Sequence, residues 1–213
     1  MKVAVIAGAT GLIGKQLLQL LLEDPEYHSV LSVVRSATNT SHPKLNQVVV
    51  NFDHLEDYAN QLKGDVVFCC LGTTMKKAKS KEAFRKVDFD YPFKLAKVTR
   101  EQGAQQFLIV SALGADKNSS IFYNKIKGET EEAIAGVRFQ ACHIFRPSLL
   151  LGPRNEQRAG EDAAKAFYKF FAFAIPSKYK AIESLKVAKA MQFHARSEED
   201  GVHIHESKSM QRF

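Results

Sequence analysis

The fold of this chain is decided by the stretch Ala4-Val5-Ile6-Ala7-Gly8-Ala9-Thr10-Gly11-Leu12-Ile13-Gly14-Lys15-Gln16-Leu17-Leu18. It opens on a short apolar run that is long enough for a strand buried on both faces. Three glycines follow at the spacing Gly-x-x-Gly-x-x-Gly, and apolar residues then recur at positions 13, 17, 20 and 21 with helical periodicity. The pattern predicts a strand, a glycine turn and a helix, in that order.

Each glycine has a physical role in such a turn. Gly8 allows a tight bend, Gly11 lets a pyrophosphate approach the backbone, and Gly14 lets the helix pack close to the strand. The free N–H groups and positive end of the helix then hold phosphates. A glycine-rich turn without a ligand is the alternative, but the position between a strand and a helix favours a dinucleotide site. The residues predicted to bind the cofactor here are Gly8, Thr10, Gly11, Leu12, Ile13 and Gly14.

The composition narrows the class of protein. With 45% hydrophobic and 25% charged residues, the chain resembles an ordinary globular protein. No apolar run is long enough to span a membrane, and the first strand begins without a signal-peptide pattern. Cys69, Cys70 and Cys142 lie in apolar, strand-like runs, which indicates buried, reduced thiols. These features together predict a cytoplasmic protein that has no membrane partner.

The net charge of +7 raises the question of nucleic-acid binding. The basic residues are spread along the chain, and the densest cluster, from Lys76 to Lys81, is short. No zinc pattern or aromatic RNA-binding signature accompanies it. A solvated surface, with some cations drawn toward an anionic cofactor or substrate, is therefore favoured over nucleic acid.

Strand and helix patterns alternate through the rest of the chain. This alternation predicts one α/β domain over 1–213, with a doubly wound parallel sheet covered by helices on both faces. No linker or internal repeat divides it. Further strands are predicted at 29–34, 47–50, 65–71, 105–111, 139–145 and 202–206, and helices over 80–102, before Gly136 and over 184–196.

The alternation of strand and helix patterns is less regular after Pro147. Residues 147–200 are predicted to contribute a small lobe for substrate or for an interface. A phenylalanine-rich helix over 161–174 could line a substrate pocket, pack on the core or form a dimer contact, of which core or interface packing is favoured. His203 and His205 fall on one face of the last strand, but no third ligand is evident, so no metal site is expected.

Three positions bear on the cofactor. Arg35 ends the second strand, where an arginine suits the 2′-phosphate of NADP and an acid would suit the ribose of NAD. A simple surface charge is the alternative, and NADP(H) is favoured. Asp53 could accept a hydrogen bond from the adenine amino group or cap a short helix. Gly72 and Thr73 follow the fourth strand, at the end where open α/β sheets place ligands.

A Tyr-x-x-x-Lys pair supplies candidate chemistry. Tyr123 and Lys127 share one face of a helix, and Ser111 ends the preceding strand. A free phenol has a pKa near ~10, and the ammonium of Lys127 together with an oxidised nicotinamide would favour the phenolate. Tyr123 would then exchange a proton with a carbonyl or alcohol oxygen, and Ser111 would hydrogen-bond that oxygen. A surface Tyr/Lys pair is the alternative, but the upstream glycine turn favours catalysis.

With these residues placed, the chain resembles the short-chain dehydrogenase/reductase superfamily. Within it, the chain is similar to the atypical branch of small NADP-binding proteins that includes the Tat-interacting oxidoreductases. The segments that carry this similarity are Cys69-Cys70-Leu71-Gly72-Thr73-Thr74, Val87-Asp88-Phe89-Asp90-Tyr91, Ser111-Ala112-Leu113-Gly114-Ala115-Asp116, Lys127-Gly128-Glu129 and Phe145-Arg146-Pro147.

The resemblance implies a Rossmann fold in which NADP(H) lies across the carboxyl ends of the strands. It implies that Leu71, Gly72 and Thr73 contact the central part of the cofactor, that Lys127 binds the nicotinamide ribose, and that the backbone from Pro147 to Leu149 lies near the carboxamide. Many catalytic members carry an asparagine in the helix after the fourth strand, where this chain has Asp88. The short C-terminal part leaves less room for a nucleotide sugar than sugar epimerases have.

Two functions follow as expectations. The first is an NADP(H)-dependent oxidoreductase that acts on a small carbonyl or alcohol. The second is a redox-sensing regulator that binds NADP(H) and signals through a protein partner. The resemblance also suggests a homodimer formed through the helices after the fourth and fifth strands.

Overall fold

The computed structural model describes residues 1–152, 180–197 and 199–213. Seven parallel strands form one sheet in the order β3-β2-β1-β4-β5-β6-β9, and β7 pairs with β8 in a separate ladder. The strands are β1 (Lys2–Ala7), β2 (Tyr27–Val34), β3 (Leu45–Val49), β4 (Val66–Cys69), β5 (Gln106–Val110), β6 (Ala141–Arg146), β7 (Leu150–Leu151), β8 (Ile182–Glu183) and β9 (Gly201–Glu206).

Helices connect these strands and cover the sheet. The α-helices are α1 (Leu12–Glu23), α2 (Met75–Ala78), α3 (Lys81–Arg85), α4 (Tyr91–Glu101), α5 (Phe122–Ala135), α6 (Ser184–His194) and α7 (Ser207–Met210). A 3₁₀ segment spans Phe52–Gln61, and a π-helical turn, Lys86–Asp90, joins α3 to α4.

The sheet is buried on both faces, as alternate residues of β1 show. Ala4 and Ile6 pack in one cluster with the apolar faces of α1 and α6. Val5 and Ala7 pack in the other cluster with α4 and α5. Successive side chains of a strand point to opposite faces, so helices must cover both sides. The predicted doubly wound α/β fold is confirmed.

The strand order changes direction at β1, which pairs with β2 on one side and β4 on the other. In open α/β sheets, ligands bind at the carboxyl ends of the strands beside such a switch point. The start of α1 and the loop after β4 both lie there. The topology therefore brings the glycine turn and the segment from Leu71 to Thr73 to the same edge of the sheet.

In the C-terminal part that the structure describes, α6 packs against α1. Val187 and Met191 of α6 are fully buried in the cluster that contains Leu17 and Leu21 of α1. This helix is therefore part of the main core. The predicted phenylalanine-rich helix over 161–174 lies outside the described residues.

The three cysteines form no disulfide, and burial raises the pKa of the Cys69 and Cys142 thiols to about 12. No helix in the described part of the chain is long and apolar enough to cross a membrane.

Candidate active site

The glycine turn is packed so tightly that side chains are excluded at two of its three positions. Gly8 has a φ of +84°, and a Cβ there would lie 2.6 Å from the carbonyl carbon of Cys70. A Cβ on Gly14 would lie 2.1 Å from the carbonyl oxygen of Gly8. At Gly11 the same distance to Gly8 is 3.2 Å, which is tight but less severe. Glycine is thus required where the helix meets the strand.

The start of α1 is open toward the edge of the sheet. Gly11 is the N-cap residue, and it offers no side chain to the first backbone N–H groups. No acidic residue lies in the first turn, and Thr10 is exposed. The exposed positive end of a helix is a site for an anionic group. The turn therefore fits the pyrophosphate of a dinucleotide.

The loop after β4 is held by the buried carboxylate of Asp88. The backbone N–H of Thr73 donates to the Asp88 carboxylate at 2.8 Å. Gly72 is exposed, and a Cβ there would lie 3.5 Å from Asp88 and 3.8 Å from the ammonium of Lys127. Asp88 thus fixes the backbone of the loop that is predicted to meet the centre of the cofactor.

A proline places Asp88 in this position. The π-helical turn precedes Pro92, which has no N–H to donate to the carbonyl of Asp88 four residues earlier. That carbonyl oxygen instead lies 2.9 Å from the hydroxyl of Thr130 on α5. The freed carbonyl thus links the two helices. Single π turns within α-helices are frequent at functional sites.

Asp88 and Lys127 form a buried ion pair. Their side chains are 1% and 7% exposed, and the ammonium lies 2.8 Å from the carboxylate. Burial is the largest single effect on the pKa of Lys127 and lowers it, but the charge of Asp88, the hydrogen bond to Asp88 and the interaction with Tyr123 together raise the pKa. Lys127 therefore carries a full positive charge at neutral pH, one turn below Tyr123.

Tyr123 is the accessible member of the predicted catalytic set. It is 37% exposed, and its ring packs edge-on against Phe84 with the centroids 5.7 Å apart. No described residue hydrogen-bonds to its hydroxyl, and the charge of Lys127 lies near enough to interact with it. A positioned phenol beside a buried cation can exchange a proton with a ligand.

Ser111 belongs to a buried hydrogen-bond network. Its side chain is buried, and its hydroxyl donates to the carboxylate of Glu131 on α5. Arg146 holds the same carboxylate through its Nε at 3.0 Å and a second nitrogen at 2.5 Å. The only hydrogen of the Ser111 hydroxyl is committed to this network. In the described conformation it is not free for a substrate oxygen.

The two residues predicted for the adenosine end lie apart from this network. Arg35 is exposed at the end of β2 and makes no ion pair with the described residues. Asp53 accepts from the ammonium of Lys86 at 2.8 Å and from the Tyr91 hydroxyl at 3.0 Å, beside a cleft of about 470 Å³. The alternative that Asp53 caps the short helix is wrong, because Asn51 is the cap and accepts from the Asp53 N–H at 3.0 Å.

The segment from Pro147 to Leu149 is held by its carbonyl groups. The Pro147 carbonyl accepts from the N–H of Leu113, and the Leu149 carbonyl accepts from the N–H of Ile182, both at 2.9 Å. The Leu149 side chain is 55% exposed. The structure thus fixes this backbone next to the loop that follows β5.

Sequence reasoning missed the partner of Lys127 and the partner of Ser111. The sequence marked Asp88 only as a departure from the usual asparagine, although it is buried against Lys127. Glu131 was not considered. It lies four residues after Lys127 on the same helix face, and an acid at that spacing is the signal that could have revealed a buried charged group.

Comparisons with known proteins agree with this geometry. A family of proteins described as NAD(P)H-binding matches residues 8–146. The rat protein HTATIP2 is 37% identical over 194 residues, which are 89% of this chain and 79% of the rat protein. A protein of Meyerozyma guilliermondii named FMP52, mitochondrial, is 32% identical over 198 residues, which are 90% of this chain and 84% of that protein.

Solved structures share the fold at low sequence identity. The Bordetella bronchiseptica enzyme WbmH, solved with NAD⁺, has a TM-score of 0.74 at 15% identity, over 97% of this chain and 76% of its own. A UDP-N-acetylglucosamine 4-epimerase from Methanobrevibacter ruminantium has a TM-score of 0.72 at 17% identity, over 96% of this chain and 76% of the epimerase chain. These likenesses confirm the Rossmann-type architecture, and the matches in sequence together with the glycine turn show that the chain belongs to the NAD(P)H-binding family.

Proposed function

We propose that this protein is an NADP(H)-dependent oxidoreductase that interconverts a small carbonyl compound and its alcohol. The observation that carries the proposal is the pairing of an accessible phenol, Tyr123, with a buried ammonium, Lys127, whose charge is secured by Asp88. This pair follows β5 and stands beside the loop after β4, at the edge where the family binds its cofactor.

The chain's own residues would perform the proton transfer. A bound NADP(H) would supply or accept the hydride at the substrate carbon. During reduction, the Tyr123 hydroxyl donates its proton to the carbonyl oxygen as that oxygen gains negative charge, and solvent then reprotonates the phenolate. During alcohol oxidation, the phenolate accepts the hydroxyl proton. Lys127 stabilises the phenolate in both directions, because it is held as a cation close by.

Asp88 sets the limit on how strongly Lys127 can act. The carboxylate keeps the lysine protonated and oriented, but it also offsets part of the positive charge that the phenolate would experience. An asparagine in this position, as in many catalytic relatives, would orient the lysine without offsetting it. The chain therefore has the tyrosine and lysine of the family, but its lysine stabilises the phenolate less strongly.

Replacement of Tyr123 by phenylalanine tests the proposal. We expect Tyr123→Phe to lower turnover of a carbonyl substrate by about 100-fold or more, because a positioned general acid contributes about 10²- to 10⁴-fold. Cofactor affinity should stay within about twofold of the wild type, since the hydroxyl bonds to no described residue. Steady-state turnover over a panel of small aldehydes and ketones, with NADPH binding measured by fluorescence, provides the check.

Ser111→Ala serves as the comparison within that experiment. If Ser111 positions the substrate oxygen, this variant also loses turnover while its stability is unchanged. If its main partner is Glu131, the variant loses stability and keeps turnover. Unchanged turnover in Tyr123→Phe would remove the acid/base assignment altogether.

Arg35 supports the choice of NADP(H) over NAD(H). Its guanidinium is exposed at the end of β2 and is free of ion pairs with the described residues, so it can meet a 2′-phosphate. We expect Arg35→Ala to weaken NADPH binding by about 10- to 100-fold, from the loss of about 1.5–3 kcal/mol of charged hydrogen bonding, and to leave NADH binding unchanged. Titration of both nucleotides measures this.

Lys63→Ala is the matched control for that titration, because it removes one exposed cation elsewhere. Equal losses in the two variants would show that net charge, and not recognition of the 2′-phosphate, governs binding. Equal affinity of the wild-type chain for NADPH and NADH would contradict the role of Arg35 directly.

A sensor without catalysis is the second candidate, and the Ser111 network favours it. A catalytic serine needs a free hydroxyl, whereas this one donates to Glu131, whose carboxylate also accepts from Arg146. A regulatory protein partner would then read the state of the bound cofactor. Cofactor binding without turnover of any carbonyl in the panel would favour this function.

The remaining expectations about the cell and partners stay predictions. We retain a small-molecule substrate, a homodimer through α4 and α5, and no role for nucleic acid. A cytoplasmic location also stays a prediction, and the relative from Meyerozyma guilliermondii is named as mitochondrial.

A further inference from the structure

Four of the seven histidines of the chain come together on one face of the sheet. His143 of β6 and His203 of β9 are register partners, and His205 follows two residues later on the same face. His194 lies in the last turn of α6, which covers this face. The spacing of His203 and His205 along the chain indicated no third ligand, whereas folding brings His143 and His194 beside His205.

Three of these rings converge on a common point. Nδ1 of His143 lies 3.0 Å from Nε2 of His205, and the ring centroids of His194 and His205 are 3.9 Å apart. One ring nitrogen from each of His143, His194 and His205 lies within 4.8 Å of the others. His203 stacks on His143 at 5.0 Å, but its own Nε2 faces the backbone oxygens of Glu199 and Asp200.

One ring at the centre of the cluster is almost fully buried. His143 is 1% exposed, and its Nδ1 shares a hydrogen bond with Nε2 of His205, so one of these two nitrogens carries the proton. Both can offer a lone pair to an ion once that proton moves to the other nitrogen of its ring. Nε2 of His143 has no hydrogen-bond partner among the described residues.

We propose that His143, His194 and His205 form a binding site for a divalent transition-metal ion of the Zn²⁺, Ni²⁺ and Cu²⁺ class. Imidazole nitrogen suits these ions, whereas Mg²⁺ and Ca²⁺ prefer oxygen ligands, which the cluster does not supply. Three histidines leave one position of a tetrahedral site for water or another small ligand.

The spacing of the nitrogens is close to what coordination requires. At Zn–N distances of about 2.0–2.1 Å, tetrahedral geometry separates two ligand nitrogens by about 3.4 Å. The pair His143 and His205 is already near this value at 3.0 Å. All separations lie within 4.8 Å, so the largest closure needed is about 1.4 Å. A rotation of the half-buried His194 ring at the helix end can provide it.

Charged groups around the cluster act in both directions. Arg212 lowers the pKa of His194 and opposes a cation, whereas Glu199 raises that pKa and favours one. The carboxylate of Glu199 also lies 4.0 Å from Nδ1 of His203. Arg212 acts on His205 as well, so the nearby charges oppose a cation on balance, and affinity rests on the imidazole nitrogens.

The site is separate from the proposed catalytic pair. Phe145, which like His143 is an odd-numbered residue of β6, packs in the cluster with α1 and α6, whereas Tyr123 and Lys127 are on α5 across the sheet. A bound ion would tie β6, the edge strand β9 and the end of α6 together. The proposal does not depend on the oxidoreductase function.

Equilibrium binding to the tag-free full chain, stripped with a chelator, tests the proposal at pH 7.5. We expect one equivalent of Zn²⁺ or Ni²⁺ to bind with a Kd below about 10 μM, and Co²⁺ to give the visible absorption bands of a tetrahedral nitrogen site. Zinc should also raise Tm by about 5 °C at 100-fold excess over Kd.

His194→Gln and His205→Gln are the test variants, because both positions are partly exposed and tolerate a polar side chain. Each should weaken binding by about 100-fold and abolish the cobalt bands. His28→Gln, which removes an exposed histidine from β2, should change neither. Wild-type affinity in both test variants, or no binding by the wild type below about 100 μM, would overturn the site.

Discussion

Gly8→Ala abolishes binding of the nicotinamide nucleotide and lowers the free energy of unfolding by about 3 kcal/mol or more. Two costs add at this position. A residue with a side chain pays about 1–2 kcal/mol for a left-handed φ such as the +84° of Gly8. Its Cβ would also lie 2.6 Å from the backbone carbonyl of Cys70, which no change of side-chain rotamer can relieve, so overpacking adds about 1–3 kcal/mol.

Gly103→Ala is the matched control, because Gly103 has a φ of +97° but no atom within 4 Å of its Cβ position. This variant should lower the free energy of unfolding only by the conformational cost of a left-handed φ, about 1–2 kcal/mol, and leave nucleotide binding intact. Chemical denaturation and NADPH fluorescence titration measure both variants. If Gly8→Ala binds NADPH as well as Gly103→Ala does, the glycine turn does not hold the cofactor.

Lys127→Met lowers the free energy of unfolding by about 3–5 kcal/mol and removes turnover. Methionine has a similar length, but it leaves the carboxylate of Asp88, which is 1% exposed, without its cation. Breaking a buried pair in this way costs about 3–5 kcal/mol, because the remaining charge stays in a poorly solvated site. Turnover falls because no ammonium is left to stabilise the Tyr123 phenolate.

The double variant Asp88→Asn/Lys127→Met separates the two effects. The asparagine removes the orphan charge and still accepts from the N–H of Thr73, so most of the lost stability should return while turnover stays absent. Lys125→Met, an exposed lysine on the same helix, should affect neither property. A single variant as stable as the wild type would show that Asp88 does not depend on Lys127.

Spacing and periodicity in the sequence predicted those parts of the site that are formed by residues close together in the chain. The strand, glycine turn and helix from Ala4 to Leu18 lie in one segment, so their spacing alone specified the close contacts now seen at Gly8 and Gly14. The side-by-side placement of Tyr123 and Lys127 followed from helical periodicity. The alternation of strands and helices specified a two-sided sheet.

Contacts between distant residues were beyond the reach of those signals. Ser111 and Glu131 are 20 residues apart, and which hydroxyl meets which acid depends on how α5 packs against β5 and β6. The same holds for the histidines, where His143 and His205 are separated by 62 residues. The π turn before Pro92 was also missed, because a proline within the helix predicted over 80–102 does not by itself specify that the helix widens.

α6 and β9 cover surfaces of elements that are synthesised long before them, so those surfaces are exposed during translation. The N-terminal helix buries Leu17 and Leu21 against Val187 and Met191, which leave the ribosome some 170 residues later. Until then the nascent chain exposes the apolar face of α1 and the unpaired edge of β6. Exposed apolar faces and strand edges promote association with other polypeptides. The apolar face of α1 is thus covered only by residues that are translated much later.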